Sequence, residues 1–116
     1  MSPARRPAGS SGGFAWPPAE PIGGCDERRR ACVRGRITAV RLASGSGPRL
    51  TAVVADGTGE LALVFLGRAT IGGMAPGAVV EAEGMVGRVE NELAMRNPRY
   101  RFVVPPSEEP GGAPAP

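Results

Sequence analysis

Residues 49–66 read Arg-Leu-Thr-Ala-Val-Val-Ala-Asp-Gly-Thr-Gly-Glu-Leu-Ala-Leu-Val-Phe-Leu, two alternating apolar runs on either side of Asp56-Gly57-Thr58-Gly59. Runs of this kind separated by a short Asp- and Gly-rich turn predict a β-hairpin. In its first strand Leu50, Ala52 and Val54 share one face, and Thr51, Val53 and Ala55 the other; in its second, Leu61, Leu63 and Phe65 point inward. The faces left outside, with Val53, Val64 and Leu66, are less polar than a solvated sheet requires. Glu, Leu and Ala are good helix formers, so 60–68 competes as a helix. Seven residues between glycines are too few, and the strand reading prevails.

The rest of the chain continues in the same idiom. Over 31–43, Val33, Gly35 and Ile37 alternate with Arg34, Arg36 and Thr38, after which Val40 and Leu42 take up the apolar phase. The slip near Ala39 predicts a bulge, and Gly35 permits tight curvature. Residues 44–48 are a loop, and 67–77, with four Gly and one Pro, form a connector with room for one helical turn at most. A fourth strand over 78–86 turns Val80, Ala82, Gly84 and Val86 one way and Glu81, Glu83 and Met85 the other. Residues 90–92 make a hairpin turn. The last strand, 93–104, is interrupted at Asn97-Pro98, where Pro cannot donate to a ladder; beyond it Arg99 and Arg101 alternate with Tyr100 and Phe102. Phe65, Tyr100 and Phe102 fall on core faces. Five short strands, regular turns and no long helix predict a small all-β barrel.

The ends are different. Residues 1–27 and 105–116, rich in Pro, Gly and Ala, are expected as disordered tails around one domain at 28–104, since they bury too little apolar surface to offset ordering entropy. A domain of about 75 residues buries roughly 60% of its unfolded surface, enough to fold alone. Phe14 and Trp16 place two of five aromatics in the first tail, as a docking segment, a chance remnant or a flap over the barrel.

Net charge is +3, pI is near 9.6, and all 14 basic residues are Arg. Arg suits bidentate phosphate contact and stacking, although a GC-rich coding sequence would produce the same bias. Within 31–104 nine Arg face six acids. Cys25 and Cys32 are the only cysteines and there is no His, so no zinc spacing exists and no metal or cofactor is expected. Without a secretory h-region or an apolar run of ~18 to 20 residues, a cytoplasmic location with free thiols and no membrane partner is the expectation.

Three motifs jointly carry a resemblance: Val33-x-Gly35-x-Ile37, Val54-x-Asp56-Gly57-Thr58-Gly59, and Pro76-Gly77 followed by Gly84-x-Val86. Over about 30–104 the chain resembles an OB-fold, most like the tRNA-anticodon-type OB domain also found as the wedge of branch-migration helicases, here as a small stand-alone protein of the kind common in actinomycetes. The resemblance implies a five-stranded Greek-key barrel. It also implies a nucleic-acid surface across strands two and three, between the loops joining strands one to two and four to five. On that basis Arg41 and Arg49 bracket the first loop, Arg88 and Arg96 the second, and Thr51, Val53 and Val64 line the platform. Arg34, Arg36, Arg68, Arg99 and Arg101 extend the positive field. The partner is then single-stranded or junction nucleic acid, bound weakly and without sequence preference, because the platform lacks the aromatics on which bases stack. The competing reading is a protein-interaction module using Val53, Val64, Leu66 and the Trp16 tail.

Other motifs dissolve on inspection. Gly57-Thr-Gly-Glu-Leu-Ala62 matches a dinucleotide fingerprint, but that motif needs a helix where a strand is predicted. A P-loop needs Lys. Without His, Ser or Cys lacks its usual base, and no enzyme is expected. Glu81 and Glu83, sharing one strand face, are expected on a solvated exterior.

Overall fold

The computed structural model describes residues 16–104. A 3₁₀ turn, Ile22–Gly24, precedes six strands: β1 Arg30–Ala43, β2 Arg49–Ala55, β3 Glu60–Leu66, β4 Val79–Val89, β5 Glu92–Arg96 and β6 Arg99–Val104. β1 pairs with β2, β2 with β3, β3 in parallel with β5, β5 with β4, and β4 returns to β1, so the sheet closes into a barrel. β6 continues along β4 beyond β5. Counting β5 and β6 as the one interrupted strand predicted for 93–104, this is the expected five-stranded all-β OB barrel.

The interruption has a purpose. Asn97, at φ 49°, breaks the strand, its N–H donates to the Val64 carbonyl (2.7 Å), and its Oδ1 accepts from the Leu66 N–H (2.9 Å). It thereby satisfies the end of β3 where β5 departs. Pro98 packs over Gly84, where an added Cβ would lie in ordinary contact, 3.4 Å from Pro98 Cβ.

β1 is long enough to serve two partners because it bends. Its first half pairs with β4 and its second with β2, and the register steps from Ile37–Val54 to Ala39–Val53, leaving Thr38 as the bulge one residue before the predicted slip. At the bend, a Cβ on Gly35 would come within 2.8 Å of the Ala55 carbonyl oxygen. The 90–92 turn resolves as a two-residue turn in which Glu90 (φ 52°) and Asn91 (φ 73°) are both left-handed, the twist that suits a tight hairpin.

Leu61, Leu63, Val54, Ile37, Val80 and Met95 fill the barrel, each essentially inaccessible. Phe65 joins them, and Tyr100 and Phe102 pack against that core in a chain of edge-to-face contacts, with centroids 5.4 and 5.9 Å apart. Phe65 is therefore a core residue, and Tyr100 and Phe102, partly buried, lie on the core faces predicted for them.

The expected tail at 1–27 is corrected from residue 16 onward. Ile22 is 0% exposed within the same core. Its N–H donates to Asp56 Oδ2 (2.9 Å), and the Gly23 N–H to Thr58 Oγ1 (2.9 Å). A Cβ on Gly23 would meet the Thr58 carbonyl oxygen at 2.5 Å, and one on Gly59 the Gly23 nitrogen at 3.2 Å. The Asp56-Gly-Thr-Gly59 turn thus serves as a socket for the 3₁₀ turn. Compositional counting missed this because one Ile among Pro and Gly gives no periodic signal.

Candidate nucleic-acid interface

The outer side of the barrel at β2 and β3 carries a groove. In-register pairs place Arg49 beside Leu66, Thr51 beside Val64, and Val53 beside Ala62; the parallel pairing adds Ala94 beside Ala62 and Arg96 beside Val64. The β1 end and the β4–β5 hairpin form the two banks. Two adjoining lobes, about 400 and 310 Å³, share Arg41, Ala62 and Glu92. One is lined also by Thr38, Val53, Glu60 and Leu93, the other by Arg49, Thr51, Val64, Val89 and Glu90.

Five of the sequence-derived residues are brought together here: Arg41, Arg49, Thr51, Val53 and Val64, with Arg96 at the register position next to Val64. Val64 differs from expectation in being buried rather than exposed on a platform, at 2% accessibility, because Val89 of the β4–β5 hairpin packs over Val64, Ala62 and Ala94. It forms a floor, which breaks up the apolar patch proposed for protein docking. Leu66 and Leu42 stay exposed as separate side chains, an ordinary condition for a folded surface. The sequence reading did not foresee Glu60, Glu90 and Glu92 in the groove, since nothing in strand alternation shows how far a hairpin curls over its neighbour.

Among the described residues Arg34, Arg49, Arg68 and Arg96 form no ion pair. Arg36 donates to the Gly77 carbonyl (2.9 Å). Arg88, assigned to the second loop's bank, is held elsewhere: its Nε pairs with Glu27 and its Nη1 donates to the Asn91 carbonyl (3.0 Å). It braces the hairpin against the N-terminal segment.

Arg99 and Arg101 are not near the groove. They belong to a second face built on β1, β4 and β6, where Glu83 accepts from Arg30 Nε (2.9 Å) and Nη2 (3.0 Å) and from Arg99 Nη2 (2.8 Å), and Glu81 from Arg101 Nε (2.8 Å). The expectation of a solvated exterior for Glu81 and Glu83 is overturned. They are 9% and 7% exposed: guanidiniums from both β1 and β6 close over Glu83, and that of Arg101 on β6 over Glu81. The hydrogen bonds from Arg30 and Arg99 hold the Glu83 carboxyl below the usual carboxylate range.

Trp16 joins this face, its ring 5.6 Å from the Arg99 guanidinium and 4.9 Å from that of Arg101. The Glu20 N–H donates to the Cys32 carbonyl (2.8 Å), and Glu20 pairs with Arg29 (2.8 Å). Phe14 lies outside the described residues. Cys25 and Cys32 are buried, unbonded to each other, and burial raises both thiols. Among the described residues no cluster of ligating side chains could hold a metal, and no helix is long and apolar enough to cross a membrane.

Gly57 to Ala62 opens β3 rather than a helix, which removes the dinucleotide fingerprint. By sequence, no protein-family model and no curated protein matches the chain. By structure, it is similar to the replication factor A related protein from Methanobacterium thermoautotrophicum, with TM-score 0.55 and 18% identity over 74% of this chain and 91% of that one. It is also similar to the p204 HINb domain, with TM-score 0.57 and 13% identity over 74% of this chain and 47% of that one. An aspartyl tRNA synthetase from Entamoeba histolytica gives TM-score 0.50 and 13% identity over 68% of this chain and 19% of that one. At these identities the likeness is one of architecture, and it agrees with the strand order: the chain has the OB fold.

Proposed function

We propose that the chain binds single-stranded or junction nucleic acid without sequence preference, along the groove over β2 and β3. The observation that carries this reading is the grouping of Arg41, Arg49 and Arg96 around a groove, where Arg49 and Arg96 have no ion pair among the described residues. Each lobe has the volume of a small-ligand pocket, room for individual nucleotides rather than a duplex. Bases would lie over the floor of Ala62, Val64 and Ala94, and phosphates would follow the arginine side, away from Glu60. The shared fold of a replication factor A related protein and a tRNA synthetase supports the same partner class. With the barrel aromatics in the core, affinity rests on phosphate contacts and guanidinium stacking, so it is weak and salt-sensitive.

The test is fluorescence anisotropy with labelled single-stranded DNA, single-stranded RNA, a duplex and a four-way junction, at about 50 and 200 mM salt. Wild type should bind the unpaired and junction probes. The variant carrying Arg49→Ala and Arg96→Ala should bind at least about tenfold more weakly, with a salt slope shallower by about 1.4, two contacts at ~0.7 each. No association of any probe at the lower salt sinks the reading.

A further inference from the structure

Among the described residues, Arg41 is the one groove arginine that already has an anionic partner. It projects from β1, and Glu92, the first residue of β5, reaches it from the opposite bank, with Nη2 and Oε1 3.5 Å apart. The two side chains line both lobes, so their contact crosses the groove where the lobes meet. At that separation it is a charge contact rather than a directed hydrogen bond, and both side chains are more than half exposed, 57% and 59%. Pairs of this kind hold weakly and exchange readily.

Glu92 is placed with some care all the same. It follows the left-handed pair Glu90 and Asn91, and Arg88 fixes that turn from outside through the Asn91 carbonyl and Glu27. The carboxylate is therefore delivered to the groove by a braced hairpin, whereas the Arg34, Arg36, Arg68 and Arg96 side chains meet no carboxylate among the described residues.

We propose that Glu92 is an internal stand-in for phosphate, a counter-ion latching Arg41 across the groove that an incoming backbone phosphate must displace. Carboxylate and phosphate oxygens present the same acceptors to a guanidinium. Displacement frees the Arg41 guanidinium for the phosphate and, by swinging the two exposed side chains apart, clears the crossing where the two lobes meet. Glu92 is thus a positioning residue that sets affinity by competing for Arg41. The inference rests on the nucleic-acid reading of the groove.

The experiment compares wild type, Glu92→Gln, Glu90→Gln, Arg41→Ala and the Arg41→Ala/Glu92→Gln double variant, binding a labelled single-stranded oligothymidine and its oligouridine counterpart at low salt. Glu90 lines the same groove and controls for general repulsion. The latch predicts that Glu92→Gln tightens binding about fivefold, that Glu90→Gln changes it less than twofold, and that Glu92→Gln gives no gain once Arg41 is Ala. Equal gains from the two Gln variants, or a gain that persists without Arg41, overturn the latch while leaving the groove as the binding site. If neither wild type nor Glu92→Gln binds either probe, the functional reading falls and the latch with it.

Discussion

The barrel has two faces that each carry three arginines and that behave oppositely. On the β1–β4–β6 face, Arg30, Arg99 and Arg101 converge on two carboxylates that they bury, and Trp16 lies against two of the guanidiniums. On the β2–β3 face, Arg49 and Arg96 stand over an apolar floor without a carboxylate partner among the described residues, and Arg41 has an exposed one. Residue type does not separate these faces. Pairing does, because a guanidinium already matched to a buried carboxylate has little left to offer a phosphate, while breaking such a pair leaves a buried charge uncompensated. The first face belongs to stability, and the second is the one we propose for recognition.

Substitutions can break that division, in descending order of effect. Ile22→Ala, which empties the core behind the face closed by the N-terminal segment, should cost about 3 kcal/mol in urea unfolding. If it costs less than about 1, the segment is an appendage and not part of the fold. Glu83→Ala should cost about 2 kcal/mol, a moderate value because Arg30 and Arg99 are half exposed and can rehydrate. Its nucleic-acid affinity should stay within twofold of wild type.

Matched charge deletions sharpen the contrast: Arg49→Ala should weaken single-strand binding about fivefold at low salt, and Arg99→Ala by less than twofold while lowering the melting temperature. Equal losses would mean that only net charge matters.

The smallest effect is one of pH. Burial alone would raise the Asp56 carboxyl, but hydrogen bonds from Thr58 and from the N–H groups of Ile22, Thr58 and Gly59 outweigh it and hold the group low. Glu83 is also held low, by Arg30 and Arg99. Folded-state values below the unfolded ones mean that the unfolded chain binds more protons as the solution acidifies. The stability from both groups is therefore complete above the ordinary carboxylate range near 4 and is lost as pH falls through it. Urea midpoints measured from about pH 6 to 3 should decline, and Glu83→Gln should flatten the decline.

Much of this architecture was legible in the chain. Strict alternation at Leu50, Ala52 and Val54, the phase slip near Ala39, and Pro98 inside the last strand read directly as ladder, bulge and break, because each is a local consequence of backbone geometry. The core aromatics were legible for the same reason. Glu81 and Glu83 were placed correctly on one strand face yet assigned the wrong environment, since alternation says which side a residue faces and nothing about what covers that side. Val64 failed in the same way. Arg88 and Arg99 were assigned by proximity to loops and by charge, and neither criterion contains the partners, Glu27 and Glu83, that hold them.

Sequence alone settled the strand periods and the turns, which follow from interactions within a few residues, and the excess of arginine over acid, which composition states directly. Tertiary structure alone decided which arginines are matched and which stand open. Ion pairing joins residues as far apart as Arg30 and Glu83, and only closure of the barrel brings them within 2.9 Å.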